Sequence, residues 1–326
     1  MKENSRREFI RKGTVAAAGV TIGLQTLAGA GAVSSFSTAR SGLQPVKHPV
    51  HVFTKCLQFL SYNQMAEMLA EQGFDGADMT VRPGGQVLPE NVGTDLPKAV
   101  KALRSEGIGS WMITTSITDA DDKHTRAILK AMADTGIKYY RPGWINYDHS
   151  KSMAENQENF KQIFSRLEKV NREFGVHGGY QNHSGQSLGA PVWDLYPLLK
   201  DCDPEYLGVQ YDVRHATVEG AVSWPLGMKL VAPWIKSIDI KDFTWVQNNQ
   251  GKWQIKNVPL GEGMVDFDTF FGLYKSLNLE GPVSIHYEYD LGGAENGSVN
   301  PKMPAGEIAG WLKRDLDYLQ GYMEKL

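Results

Sequence analysis

The sequence predicts a single-domain (β/α)8 barrel of the TIM type, and three observations lead there. Short apolar or β-branched runs alternate eight times with segments of helical periodicity. Residues 41–326 suit one barrel of about 250 residues with insertions. Polar groups recur at the ends of four successive strand segments: Tyr180-Gln181-Asn182-His183, Tyr211-Asp212-Val213-Arg214-His215, Asp239-Ile240-Lys241-Asp242 and His286-Tyr287-Glu288. A parallel barrel builds its active site at strand C-termini.

The first strand segment, 50–57, leads into a helix over 62–72 in which Met65, Met68 and Leu69 share a face. Residues 76–80 lead into 95–106, where Leu96, Val100 and Leu103 recur at i, i+4 and i+7. The third unit joins 109–114 to 121–135. The fourth joins 138–141 to the longest helix, 152–174, with Phe160, Ile163, Phe164, Leu167 and Val170 on one stripe. Strand 176–181 precedes helix 192–200, and strand 206–212 precedes helix 222–231. Strand 235–240 reaches its helix, 268–277, only after an excursion, and 282–287 leads into 306–323. Gly73, Gly107, Gly136, Gly175 and Gly281 stand where helices should stop. No GxGxxG follows a first strand, which argues against a doubly wound dinucleotide-binding sheet. In the excursion, 244–247 and 252–258 flank Asn248-Asn249-Gln250-Gly251 and read as a β-hairpin inserted after strand seven, on the catalytic face. It carries Trp245 and Trp253, placed either to roof a pocket or to pack on each other.

Residues 1–40 are expected to be a twin-arginine signal peptide rather than part of the fold. Ser5-Arg6-Arg7-Glu8-Phe9-Ile10-Arg11 precedes an apolar stretch rich in Gly, Ala and Thr, a poor permanent anchor, followed by small residues suited to a leader peptidase. The expected location is the periplasm, with no stable membrane anchor after cleavage. The leader holds six Lys/Arg and two Asp/Glu, so the remainder stands at −7 against −3 for the whole chain. A mildly acidic domain offers no electrostatic footprint for nucleic acid or an anionic membrane. Cys56 and Cys202 read as free buried thiols.

Alternate side chains along a strand share a face, which aligns Gln181 with His183, Asp239 with Lys241, and Ser284 with His286 and Glu288. Asp212 ends strand six, with His215 in the turn beyond. Asp212, Asp239 and His286, with Gln181 or His183, offer mixed oxygen and nitrogen ligation for Mn2+, Zn2+, Co2+ or Mg2+. Each has a plainer alternative. His286 would also serve as a hydrogen-bonded core histidine, His183 as a residue orienting a ligand, and Glu288 as an ion-pair partner of Lys241 or Arg141. Arg82, Arg141 and Trp144 end strands two and four and are candidates to line the substrate site.

These motifs resemble the xylose-isomerase-like barrels, whose members are sugar (phosphate) isomerases and epimerases. The likeness rests on Gln181-Asn182-His183, Asp212-x-x-His215, Lys241-Asp242, the acidic end of strand eight and the turn Gly261-Glu262-Gly263-Met264-Val265-Asp266-Phe267, and extends over nearly all of residues 48–325. It implies a metal held by Glu, Asp, His and Glu from strands five to eight. On that pattern Asp212 is the aspartate and His215 falls on the substrate-contacting histidine. Gln181 stands in place of the first Glu, Asp239 in place of the His and His286 in place of the last Glu. The last two look like an exchange of ligand types between neighbouring strands. Gln181 cannot act as a base, which departs from the family's two-glutamate proton transfer.

The expectation is a metal-dependent isomerase or epimerase acting on a sugar or keto-sugar through an enediolate. Glu288 or His183 would take the proton α to the carbonyl, and Lys241 would polarise a substrate oxygen. His215, Arg141, Trp144, Arg82 and Trp245 would bind the carbohydrate. The alternatives are a lyase eliminating from a keto-glycoside at the same site and a non-catalytic sugar-binding barrel. A nuclease fits neither the export signal nor the net charge. No Gly-rich anion cradle or Arg/Lys cluster stands out, so a phosphate on the substrate is not indicated. The aromatic loops suit a sugar ring or a subunit interface, which leaves an oligomer open.

Overall fold

The computed structural model describes residues 47–326. The signal-peptide reading of residues 1–40 lies outside the described residues. Eight parallel strands close into a barrel: β1 (Val50–Phe53), β2 (Gly76–Val81), β3 (Gly109–Thr115), β4 (Tyr139–Arg141), β5 (His177–Gln181), β6 (Leu207–Asp212), β7 (Ile235–Ile240) and β10 (Val283–Ile285). Round the ring the order is β1, β10, β7, β6, β5, β4, β3, β2. Between β7 and β10 lies an antiparallel ribbon of β8 (Asp242–Gln247) and β9 (Trp253–Val258), paired from Asp242 opposite Val258 to Gln247 opposite Trp253. Asn248 makes its turn, its side-chain oxygen accepting from the backbone N–H groups of Gln250 and Lys252.

The long helices begin and end where local chemistry dictates. α1 (Tyr62–Gln72) and α4 (Met153–Phe174) open with reciprocal capping boxes, Ser61 with Gln64 and Ser152 with Glu155. α4 ends at Gly175, whose positive φ of 67° returns its N–H to Asn171. α2 (Val92–Ser105), α3 (Thr125–Thr135), α8 (Phe267–Ser276) and α9 (Ala305–Met323) follow the apolar spacing. The segment expected at 192–200 is a 3-10 turn followed by the single-turn α5 (Tyr196–Leu199).

Strand six departs from expectation. Residues 213–221 read as a turn, yet α6 (Val213–Gly220) starts directly after β6, ahead of α7 (Trp224–Val231). Asp212 is its N-cap: the carboxylate accepts the His215 N–H at 3.0 Å. With so short a helix the apolar period is too brief to register. At strand eight, hydrogen-bonded pairing ends at Ile285, although the His286 N–H still reaches the Ile240 carbonyl at 2.9 Å. The Gly261–Phe267 turn has a mechanical role. Both Asp242 carboxylate oxygens collect backbone N–H groups, from Phe243, Gly261, Gly263 and Val265, at 2.8–3.2 Å. A Cβ on Gly263 would meet Asp242 Oδ1 at 2.0 Å, so only glycine lets the chain close onto this carboxylate.

Outward residues such as Val52, Met79, Ile113 and Ile238 pack beneath the helices, whereas the bore is polar. Asp78 accepts from Ser284 Oγ at 2.9 Å and Thr114 Oγ1 at 3.1 Å, and Ser237 donates to Gln210. Buried polar groups are tolerated when paired like this. At the opposite end of the barrel, His51 and His177 are buried with Nδ1 on the carbonyls of Pro49 and Glu205 and no partner for Nε2. Burial pushes both down to about 4.

That arrangement gives a pH prediction. An unfolded histidine titrates near 6.5, so between about 6.5 and 4 the unfolded chain binds more protons at these two positions than the folded one. Stability is complete above that window and falls as pH drops through it, on the order of 2 kcal/mol per histidine by pH 5. Urea unfolding at pH 7.5 and pH 5 should show this loss, and His177→Gln should remove about 2 kcal/mol of it. A His177→Gln variant with unchanged acid sensitivity would contradict the assignment.

Candidate active site

Closing the ring brings the ends of β5, β6, β7 and β10 to one mouth, where Gln181 joins the predicted residues. Its Nε2 donates to Asp212 Oδ2 at 2.9 Å and Asp239 Oδ2 at 2.6 Å, and its Oε1 accepts from Arg141 Nη1 at 2.7 Å. Gln210, pointing inward from β6, donates to Asp239 Oδ1 at 2.7 Å. Lys241 Nζ lies 3.1 Å from both Asp212 Oδ2 and Glu288 Oε1. His286 sets Nε2 3.1 Å from Asp239 Oδ1 and Nδ1 3.8 Å from Glu288 Oε1. These residues form one connected network, buried except for Glu288, whose side chain is 22% exposed.

His183 and His215 stack at 3.9 Å beside it. His183 Nδ1 meets the Ser184 carbonyl at 2.9 Å. A carbonyl only accepts, so Nδ1 carries the proton and Nε2 keeps its lone pair. His215 Nδ1 accepts from Arg214 at 2.9 Å, which leaves the proton on Nε2, 3.6 Å from Asp212 Oδ2. α6 supplies both Arg214 and His215, so the Asp212 cap orients this half of the site.

A cavity of about 60 Å3 opens above the network. Among the predicted residues, Arg82, Arg141, Trp144, Gln181, His183, Lys241, His286 and Glu288 line it, joined by Phe53 and Lys55. Asp212 and Asp239 are fully buried, and His215 is nearly so. Trp245 does not line the cavity; it meets Phe243 edge-on at 6.1 Å. The hairpin reaches the site through Asn257 instead, which accepts from Arg214 at 2.6 Å and donates to the Glu288 carbonyl at 3.3 Å. A larger hollow of about 630 Å3 lies at the other end of the barrel, around Trp111 and His177, away from this chemistry.

The charges are settled by pairing. Burial alone would lower the Lys241 pKa, but Asp212 and Glu288 outweigh it and raise it. Burial would raise Glu288, yet Lys241 and His286 hold it well below the usual carboxylate range. His286 rises against burial because of Asp239. Burial, then the Lys241 charge, lowers His183 to about 4 and His215 further, so both are neutral at pH 7.

Asp78, Asp239 and His286 each offer one donor atom within 4.8 Å of the others, all from buried residues. His286 Nε2, although 3.1 Å from Asp239 Oδ1, makes no hydrogen bond, so it lies off the bonding line. A buried nitrogen without a hydrogen bond beside two carboxylates is a donor set suited to a divalent ion, and these residues fit one. Ligation would require His286 to be neutral, so an ion would displace its proton. Gln181 is placed differently. Arg141 can only donate, so it takes Oε1 and turns the NH2 toward the carboxylates; ligation by Oε1 would require turning the amide over. Asp78 was not singled out in the sequence. Its signal was a charge inside the otherwise buried strand Gly76-Ala77-Asp78-Met79-Thr80-Val81.

Comparison with known proteins places this architecture. The xylose isomerase-like TIM barrel family pattern matches residues 66–315. An uncharacterised protein of Methanocaldococcus jannaschii is 21% identical over 282 residues, 82% of this chain and 87% of that one. The chain is similar in structure to 3-keto-D-glucoside 4-epimerase from E. coli, with a TM-score of 0.61 and 15% identity over 84% of this chain and 100% of that one. It is also similar to D-allulose 3-epimerase from Methylomonas sp., with a TM-score of 0.62 and 15% identity over 85% and 99% of the two chains. L-ribulose 3-epimerase gives a TM-score of 0.63 at 12% identity, over 85% of this chain and 95% of that one. With a closed barrel of eight parallel strands and a family match over most of its described length, the chain belongs to the xylose isomerase-like TIM barrel family.

Proposed function

We propose that this protein is a metal-dependent sugar isomerase or epimerase that moves a proton α to a carbonyl. One observation carries the reading: Glu288, Lys241 and neutral His183 line a single cavity over the buried Asp78–Asp239–His286 group. A divalent ion held by Asp239 and His286, with Asp78, would supply Lewis-acid polarisation of the substrate carbonyl. Glu288, ionised by Lys241, is placed to accept the α-proton. Lys241 offers an ammonium to the oxyanion that develops next to it. His183 follows β5, three strands round the ring from β10, and its free Nε2 faces the reaction as a second proton carrier. The epimerases among the structural neighbours support a carbohydrate substrate, and the twin-arginine pattern supports action in the periplasm.

Gln181 favours a second reading. Where a family base would stand there is a neutral amide fixed by Arg141, so an abstracted proton need not return, and β-elimination of a leaving group becomes the outcome. Both readings share the metal. Elemental analysis of the folded protein after reconstitution with Mn2+, Co2+ or Zn2+ is expected to give about one ion per chain, lost in His286→Gln and Asp239→Asn. Absence of any ion from correctly folded protein would sink the metal-dependent reading. Incubating keto-sugars in D2O then separates the reactions: isomerisation or epimerisation incorporates deuterium into a sugar, whereas elimination yields an unsaturated, ultraviolet-absorbing product.

A further inference from the structure

Glu288 and His183 stand at different strand ends, and a row of contacts joins them outside the cavity. The Glu288 carbonyl, just past β10, accepts from Asn257 Nδ2 at 3.3 Å, and Asn257 Oδ1 accepts from Arg214 Nη2 at 2.6 Å. Arg214 Nη1 donates to His215 Nδ1 at 2.9 Å and to Ser184 Oγ at 3.3 Å. The His215 ring packs against His183 at 3.9 Å. In ring order the row runs from β10 through the hairpin after β7 and α6 after β6 to the segment after β5. Ser184, Arg214 and Asn257 do not line the cavity, so they bear on a reaction there only through their neighbours.

Arg214 is the junction of this row. Its side chain is buried, and its guanidinium lies 5.4 Å from the ring of Phe243, the residue opposite Asn257 in the hairpin. A facing pair of hairpin residues therefore holds the fork, one by its ring and one by an acceptor. What the fork donates also matters. Ser184 Oγ lies 2.8 Å from His215 Nδ1, but a hydroxyl donates or accepts and would suit either tautomer. A guanidinium only donates, so Arg214 reserves the Nδ1 lone pair. His183 takes the opposite tautomer on the Ser184 carbonyl. Its segment is fastened on both sides: Asn182 exchanges hydrogen bonds with the Asp212 backbone, and the Gly185 N–H reaches Glu219 of α6.

We propose that Arg214 is a positioning residue: braced by Asn257 of the inserted hairpin, it fixes the tautomer of His215 and, through the packed rings, the place of His183 relative to Glu288. The inference rests on the proton-transfer reading above and deepens it, giving the hairpin a part in the reaction although neither of its tryptophans lines the cavity. Proton delivery needs the carrier within hydrogen-bond reach, and a misplacement of about 1 Å costs on the order of 100-fold. The Glu288 carboxylate keeps its place beside Lys241, at 3.1 Å, without Arg214. Loss of Arg214 therefore falls on delivery by His183 rather than on abstraction by Glu288.

Two measurements test it. Nitrogen NMR of the folded, histidine-labelled protein reads the tautomers with no substrate present. Native His215 is expected to carry its proton on Nε2 and His183 on Nδ1, and Arg214→Met should turn His215 into a mixture of tautomers. Incubation of keto-sugars in D2O then gives the ratio of product formed to substrate hydrogen exchanged. That ratio should fall about 10- to 100-fold in Arg214→Met and fall also in Asn257→Ala. Asn257→Asp keeps an acceptor for Arg214 and should restore most of it. Asn257 is half-buried, so its variants should fold, and unfolding curves confirm that. A merely structural role would lower product and exchange together and leave the ratio unchanged. Native His215 protonated at Nδ1, or a ratio unchanged in both Arg214→Met and Asn257→Ala, overturns the inference. The two readings fail separately. Exchange on keto-sugars with an unchanged ratio leaves the isomerase reading standing and this inference refuted. A tautomer released in Arg214→Met, with no exchange on any keto-sugar, refutes the isomerase reading and leaves Arg214 as the residue that sets the histidine pair.

Discussion

Lys241→Met is expected to cost about 3–5 kcal/mol of folding stability and to abolish turnover. The ammonium is 2% exposed and sits 3.1 Å from two carboxylate oxygens, of Asp212 and Glu288. Methionine fills the space and removes the charge, leaving two buried carboxylates facing a thioether. Breaking one side of a buried ion pair costs more than the pair contributes, because the remaining charge keeps its desolvation penalty. The pH dependence fixes the cause. In the native protein Glu288 is held well below its ordinary range, so its contribution is complete above about 4.5 and fades only as pH falls through the depressed value. Without Lys241 that depression is largely lost and burial raises both carboxylates. The deficit of the variant relative to native protein should then be largest near pH 8 and shrink toward pH 5, where the stranded acids protonate. Comparing the two proteins at each pH cancels the shared titration of His51 and His177. Adding Glu288→Gln to Lys241→Met should recover part of the loss. A pH-independent deficit below about 1 kcal/mol would mean that Lys241 is not the counter-ion of this network.

The fold and the site were legible to different depths, for physical reasons. Eight strand–helix alternations write themselves into apolar period, caps and stop glycines, so the barrel could be read directly. The stop glycine at Gly175 is a local signal that the structure keeps as an αL turn, and the capping boxes it shows at Ser61 and Ser152 are equally local. α6 was not legible, because its start depends on one carboxylate capping one N–H rather than on a stripe. The strand-end residues could be placed because side chains alternate along a strand, and Gln181, Asp239, Lys241, His286 and Glu288 do meet.

Residues whose role depends on ring closure left no sequence signal of their own. Asp78 sits in mid-strand and becomes part of the site only because β2 lies beside β1, which pairs with β10, bringing Ser284 and His286 toward it. Lys55 occupies a 3-10 turn with no motif around it. The absence of an Arg/Lys cluster along the chain says nothing about one assembled in space from β1, β2 and β4. Trp245 illustrates the converse. An aromatic residue on an inserted hairpin invites a binding role, while the contact that ties the hairpin to the site comes from Asn257.

Glu288→Gln is expected to lower the rate of α-proton exchange by about 10²–10⁴-fold while leaving the fold and the bound metal intact. That corresponds to about 2.7–5.4 kcal/mol of transition-state stabilisation, at 1.36 kcal/mol per decade. Glutamine keeps the shape and an oxygen for Lys241, which still has Asp212, so no buried charge is stranded. What is lost is the ability to take a proton. His183→Gln makes the informative contrast. If Glu288 removes the proton and His183 delivers one from across the ring, His183→Gln should still wash the substrate hydrogen into D2O while forming little epimer. Glu288→Gln should do neither. Exchange retained in Glu288→Gln and lost in His183→Gln would reverse the roles, and would make the imidazole, lowered to about 4 by burial, the base. The pH profile separates these cases independently. Both groups are already in their basic forms at pH 7, so activity falls on the acid side in either case. A Glu288 base gives a fall displaced well below the ordinary carboxylate range by Lys241, whereas a His183 base gives one near pH 4.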